Sequence, residues 1–447
     1  MGRPSLGSAA QRAHRDVTPV VAAYLGSQFL SFLGNGILAV ALPMIVLQTT
    51  GSPASVGIIS AATAVPALLV GLAAGVVIDR VNRRSCSIAS DAVSAAAVAA
   101  IPVVDLMWGL DLTSLVILAV IGAFGDVPGL TARQVMVPAV ARHTGVSLER
   151  LVGLQKSMIS VALVIGPAAA GTLLSVLDGT MVLLITAATS AAAAMVTATL
   201  PHRLGAHEPG QQSQTSMWRR LAGGVVEVHR SRFLTGTITL TVGLAIALGG
   251  LQGLVLPLYF TQIERPDLLG FVLTALAVGM LAGTGLFAVF GTRVARRRWV
   301  SATLMGSTVG FAAMATLTTP AAVFAGAAVF GVANACLGAV VGVLQAERIA
   351  DAVRGRVLSL QNACLQVAAP AGIGLAALVA EYGSALAAGV AVFLVWSIIA
   401  AVVSATRVLT RPDPQPDKQP SPASSNGDTA CAAVSNPVPD AAPERNR

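Results

Sequence analysis

Charge is scarce in this chain. Asp, Glu, Lys and Arg make up 11% of its 447 residues, where a soluble domain carries about 25%. With hydrophobic residues at 55% and a mean hydropathy of +0.77, there is too little polarity to cover a water-facing surface. A soluble protein is excluded, and a multi-span membrane protein is expected. Cysteine is equally sparse. Cys86, Cys336, Cys364 and Cys431 have no metal-ligand spacing and imply no disulfide framework. The five histidines, His14, His143, His202, His207 and His229, never pair with a second ligand at helical spacing. Neither a metal site nor a membrane-embedded enzyme is therefore expected. No Gly-x-x-x-x-Gly-Lys-Ser/Thr loop occurs, so ATP is not the energy source and no cofactor is implied. An ion gradient remains to do the work.

What the chain does have is apolar length. A span needs about 20 apolar residues, and twelve candidates follow one another, at 19–47, 54–78, 85–107, 112–132, 151–176, 179–200, 232–260, 268–291, 299–318, 320–344, 357–380 and 383–406. Ala39-Val40-Ala41 superficially fits a signal-peptide cleavage site, but the run before it is too long and contains Gln28 and Asn35. It reads as an uncleaved first span. The order is a cytoplasmic segment 1–18, six spans over 19–200, a cytoplasmic linker 201–231 with a short surface helix from Trp218 to His229, six more spans over 232–406, and a disordered tail 407–447.

A net charge of +8 would suggest nucleic acid in a soluble protein. Here the basic residues fall one cluster to a loop, which is a topology signal instead. Taking 1–18, 79–84, 133–156, 203–232, 293–298, 348–356 and 407–447 as the cytoplasmic segments, their edges overlapping the span ends, places 27 of the 28 Lys and Arg on one side, with Arg265 the exception. That asymmetry predicts both termini in the cytoplasm and twelve crossings of the cell membrane. The halves also echo each other at offsets of 203 to 214 residues. Arg80–Arg84 matches Arg293–Arg297, Leu42-Pro43 matches Leu256-Pro257, Arg150–Gln155 matches Arg356–Gln361, and Pro167-x-x-x-Gly171 matches Pro370-x-x-x-Gly374. The fold class expected is an all-α polytopic membrane protein, two six-helix bundles related by a pseudo-twofold axis.

Three motifs point to a family. Between spans two and three stands Gly75-x-x-x-Asp79-Arg80-x-x-Arg83-Arg84, which resembles the loop 2–3 gating signature of major facilitator superfamily transporters, with Asn82 at a usual glycine. Asn tolerates a left-handed backbone best among non-glycine residues, so the turn is preserved on that reading. Gly166-Pro167-x-x-x-Gly171 on span five resembles the motif of the superfamily's exporters. There proline favours a bend and the glycines let a neighbouring span close over it. Arg354-Gly355-Arg356 after span ten, with Asp79 and Asp91, resembles the drug-exporter branch that includes macrolide-efflux and siderophore-export proteins. Span four reads Ala123-Phe-Gly-Asp126-Val-Pro-Gly and lacks the Arg-x-x-x-Gly of other drug antiporters.

Those resemblances imply a monomeric secondary transporter exporting a small amphipathic molecule in exchange for protons. The alternative on the same fold is an importer or lysolipid flippase. Asp126 is the deepest acid, and an unpaired charge near mid-membrane costs at least about 2.5–3.5 kcal/mol. Either it pairs with Arg83 or Arg84 and joins Asp79 in a cytoplasmic latch, or it carries the coupling proton; its shallow depth favours the latch. Asp91 is a second latch candidate or a carboxylate reaching for the interface. Spans one, four, seven and ten line the cavity in this superfamily, which makes Asn35, Gln252 and Asn334 substrate-contact candidates, with Phe29 or Phe32 beside them. The alternative is an interhelical hydrogen bond, worth about 0.6 kcal/mol each. The glycine pairs Gly71/Gly75, Gly279/Gly283, Gly306/Gly310 and Gly338/Gly342 are read mainly as close-packing surfaces.

Overall fold

The computed structural model describes residues 6–78, 81–206, 225–226, 228–229, 231–291, 293–349, 351–406 and 409. Within them lie twelve long helices and no strand: α1 Leu6–Thr50, α2 Pro53–Ile78, α3 Arg83–Trp108, α4 Leu112–Thr144, α5 Leu148–Val176, α6 Gly179–Ala198, α7 Arg232–Gln262, α8 Asp267–Phe290, α9 Arg296–Ala315, α10 Pro320–Arg348, α11 Asp351–Tyr382 and α12 Ala385–Thr406. Eleven are long and apolar enough to cross a bilayer by composition. The twelfth, α9, opens on Arg296-Arg297-Arg298, which dilutes an otherwise apolar helix. The lipid-facing surface is apolar as a membrane solvent demands; on α12, Leu394, Ile398 and Val402 form an exposed stripe at four-residue spacing.

Helix ends are set by local chemistry. Asp111 and Ser114 form a capping box that starts α4, and the same bonds from Ser114 hold the Asp111 carboxyl below the usual carboxylate range. Asp178 caps α6 through the Met181 amide, 2.9 Å away. Glycines with positive φ at Gly51, Gly109 and Gly145 end α1, α3 and α4. Asn82 departs from the expectation. Its φ of −58° is not left-handed, and its side chain instead accepts from the amides of Arg84 and Ser85 as the N-cap of α3.

The packing carries the duplication. Within the first six helices the large interfaces are α3–α4, α3–α6, α1–α5, α1–α6 and α2–α4. Adding six to each number gives α9–α10, α9–α12, α7–α11, α7–α12 and α8–α10, all of which recur as interfaces of the second six, where α11–α12 also touch. The pairs that join the bundles, α2–α11 and α5–α8, exchange under the same operation. That is the signature of a parallel repeat about an axis along the membrane normal.

Two expectations change. The loop expected at 133–156 is almost entirely helix, since α4 runs to Thr144 and α5 begins at Leu148. In α7 the helix widens into a π-turn over Leu251–Val255, where the Leu256 amide bonds to the Leu251 carbonyl. Pro257 follows and has no N–H for the next carbonyl in that register, that of Gln252. Of the expected surface helix Trp218–His229, Val225, Val226, Val228 and His229 are described and helical; Asp79, Arg80, most of the rest of the 201–231 linker and nearly all of the tail, with Cys431, lie outside the described residues, as do the surroundings of Gly71 and Gly75 and the side chains of Arg354 and Arg356.

Candidate functional site: a central cavity above a buried ion pair

Two chambers meet at Asp126. One, of about 440 Å³, is lined by Asn35, Leu38 and Leu42 of α1, Gln252 and Gly253 of α7, Leu273 of α8 and Ile373 of α11. The other, of about 410 Å³, lies between α1, α2, α3, α4 and α11 and includes Thr63, Ser94 and Gln366. Asp126 lines both and, among the described residues, is the one charged residue in either lining. The remaining walls are apolar, glycine, or neutral amides and hydroxyls. Among the described residues Asp126 makes no ion pair with Arg83 or Arg84. Arg84 donates instead to the Ala198 carbonyl.

The candidates separate accordingly. Asn35 and Gln252 line the central chamber, and the π-turn places Gln252 there. Asn334 lies half-buried on α10 and lines neither chamber, nor do Phe29 or Phe32. Gln28 follows the interhelical alternative, accepting from Gln155 Nε2 at 3.1 Å.

Below the cavity, towards the arginine-rich ends, lies a group the sequence does not display. Arg133 of α4 is 1% exposed and Asp91 of α3 is 5% exposed. Arg133 Nη1 meets Asp91 Oδ2 at 2.7 Å and Nη2 meets Oδ1 at 3.0 Å, a bidentate pair. The Ser31 hydroxyl of α1 accepts from Arg133 Nη2 at 2.8 Å and donates to Asp91 Oδ1 at 3.2 Å. Tyr24 donates to the Arg133 carbonyl at 2.9 Å and accepts from Gln155 of α5 at 3.2 Å. The guanidinium thus ties α4 to α1 and α3, and the Tyr24 hydroxyl, bonded to the Arg133 backbone carbonyl, adds α5 through Gln155. Gly125 and Gly129 make the reach possible. A Cβ on Gly125 would stand 2.9 Å from the Ser90 carbonyl and the Ser94 amide, so α3 and α4 cross in near backbone contact. Hydropathy reads Arg133 as the end of a span; the signal available was Arg133 standing 42 residues after Asp91, with small residues at Gly125 and Gly129 between two helices of one hairpin.

The span-five motif faces two ways. Gly166 packs on Gly36 of α1, where an added Cβ would sit 3.0 Å from the Gly36 Cα. Gly171 packs across the bundles, 2.6 Å by the same measure from the Asp267 carbonyl of α8. Gly270 of α8 nestles against the Pro167 carbonyl. Around the pseudo-twofold, Gly57 of α2 faces Ala377 of α11 at 2.6 Å, and Glu381 accepts from Ser52 Oγ and the Ala54 amide at 2.9 and 3.1 Å. These contacts between bundles lie at the ends opposite the arginine-rich loops. The other glycine pairs divide. Gly279, Gly283 and Gly310 meet neighbouring backbone of α10, whereas nothing stands within 4 Å of a Cβ on Gly338 or Gly342.

The model of the Major Facilitator Superfamily matches residues 24–265 and 238–439. The chain belongs to the major facilitator superfamily. It is a multi-pass membrane transporter, not an enzyme. The multidrug efflux pump Tap of Mycobacterium tuberculosis is 33% identical over 364 residues, covering 79% of this chain and 85% of that one. Macrolide efflux protein A of Streptococcus pyogenes is 24% identical over 363 residues, covering 79% and 87%. Among solved structures, the nucleoside transporter NupG superposes with a TM-score of 0.70 at 14% identity, covering 88% of this chain and all of that one. A bacterial homologue of the human lysosomal transporter Spinster, inward-facing and unoccupied, gives 0.65 at 15% identity, covering 89% and 99%.

In a superfamily transporter, closure between the bundles is the variable that substitutions should move. Gly270→Leu would drive a side chain into the Pro167 carbonyl, a clash of about 1–3 kcal/mol. That energy shifts a two-state equilibrium roughly 5- to 150-fold. A cysteine introduced at Thr274, in a cysteine-free background, should label correspondingly faster from the side opposite the arginines. An unchanged labelling rate would show that the α5–α8 contact does not hold that side closed.

Proposed function

We propose that this transporter exports small amphipathic compounds, cationic ones preferentially, from the cytoplasm in exchange for protons. Several features support that reading. Both chambers are mostly apolar, which suits a solute with a large hydrocarbon surface. Among the described lining residues Asp126 alone supplies charge, and a carboxylate at the junction of two apolar chambers attracts either a cationic group or a proton, one at a time. The Tap and macrolide-efflux relatives carry export in their names. The placement of Asp126 in the linings of both chambers is the observation that carries the proposal.

The proposed orientation puts both termini and the basic loops in the cytoplasm. The bundle contacts Gly171–Gly270, Gly57–Ala377 and Glu381–Ser52 then lie on the outer side, and the state described is inward-facing. The two bundles, over 19–200 and 232–406, rock about the cavity in a single chain. With Arg133 and Asp91 satisfied by each other, the gating motif Gly75, Asp79, Arg80, Arg83 and Arg84, together with Arg354, Gly355 and Arg356, is left to bridge the bundles on the cytoplasmic side in the opposite state.

Purified protein in liposomes with an imposed pH gradient provides the test. A lipophilic cation dye should accumulate against its own gradient when the proton gradient opposes it, and accumulation should collapse on adding a protonophore. Movement of a fluorescent lysolipid without any dye flux would replace export with lipid transport.

A further inference from the structure

A cavity far from the substrate chambers lies at the arginine-rich ends of α8, α9 and α10, with a volume of about 600 Å³. Its floor is apolar, formed by Phe287, Trp299, Val340 and Val343, and its rim carries Arg293 and Arg296. Phe287 and Trp299 meet edge to face, 5.4 Å between ring centres. Trp299 is 9% exposed, and its indole N–H has no partner among the described residues. The first turn of α9 opens beside this rim, and its cap residue, Ala295, offers no side-chain acceptor. At the equivalent end of the first bundle Asn82 fills that role for α3. The rim keeps a positive surplus. Glu347 pairs with Arg296 at 2.6 Å, while Arg293 lies over the Phe290 ring at 5.8 Å with its charge unneutralised by any acid among the described residues.

An oily floor, a cationic rim and a helix start without a side-chain cap describe one ligand chemistry: an anion joined to a hydrocarbon chain. We propose that this cavity holds an anionic phospholipid of the inner leaflet. Its phosphate is met by Arg293, Arg296 and the first amides of α9, and its acyl chains run down past Phe287 and Val343. The site is independent of substrate and proton; it shares no residue with the chambers at Asp126. The head group would bridge the loop between α8 and α9 to the end of α10, bracing one end of the second bundle.

Trp299 supplies the probe. In phosphatidylcholine nanodiscs of the intact protein, a minor fraction of dibrominated phosphatidylglycerol should quench the Trp299 signal, taken as the difference from a Trp299→Phe variant. Dibrominated phosphatidylcholine at the same fraction should quench it much less. Arg293→Gln with Arg296→Gln should weaken the excess quenching about tenfold in apparent affinity and leave the phosphatidylcholine signal unchanged. Equal quenching by both head groups, or an excess that survives the double substitution, overturns the proposal. Full reversal by millimolar inorganic phosphate at constant ionic strength would overturn the lipid assignment in favour of a free anion, whereas resistance to phosphate supports it.

Discussion

Arg133→Met alone should destabilise the first bundle by about 3–5 kcal/mol, the cost of removing one member of a buried ion pair. The apparent melting temperature in detergent should fall by several degrees. The loss is larger than the pair is worth, because Asp91 is left buried with only the Ser31 hydroxyl for company. Arg133→Met combined with Asp91→Leu removes both charges and keeps the volume, and most of the stability should return. Ser31 can then donate to a carbonyl in its own helix, as hydroxyls in helices commonly do. A thermal melt of the two single variants and the double variant measures the coupling directly. Transport by the recovered double variant answers a second question. If it exports normally, the pair is a strut that ties α1, α3 and α4; if it is stable and inert, the charges take part in switching.

That strut shows where a linear reading stops. Apolar length and the spacing of the basic loops gave the twelve helices, and the repeated motifs gave the two halves, because lipid admits few structures and each basic loop marks an end. The same logic misplaced Arg133. A hydropathy scan treats any arginine after an apolar run as the start of a loop, and it cannot see Asp91 one helix away across Gly125 and Gly129. Asn82 was legible as a turn residue but not as a cap, since both roles draw on the same short amide side chain. The π-turn at Leu251–Val255 left only Pro257 as a trace, and a proline six residues after Leu251 is equally compatible with a plain kink, as Pro43 in the unbroken α1 illustrates. Local residue choice specified the elements. The site depends on which faces meet, a property of pairs of helices.

Asp126→Asn should abolish gradient-driven export while preserving exchange of dye for dye. The amide keeps the size and hydrogen-bonding reach of the carboxyl but can neither lose nor gain a proton, so it fixes the site in the neutral state. A carrier so fixed still alternates with substrate bound, which counterflow detects, but has nothing to exchange against. Affinity for a monovalent cation should drop at least about tenfold, roughly 1.4 kcal/mol, with a neutral analogue of the same shape scarcely affected. The voltage dependence sharpens the expectation in the parent protein. Exchanging one proton for one monovalent cation moves no net charge, so a membrane potential should leave cation export unchanged. Export of a neutral compound against one proton moves one charge, and 100 mV should add about 2.3 kcal/mol to its driving force. If Asp126→Asn instead left uphill export intact and changed only which side of the protein labels with a cysteine reagent, Asp126 would be a gating residue. The proton would then have to bind elsewhere, and Asp91, released from Arg133 in another state, is the acid placed to receive it.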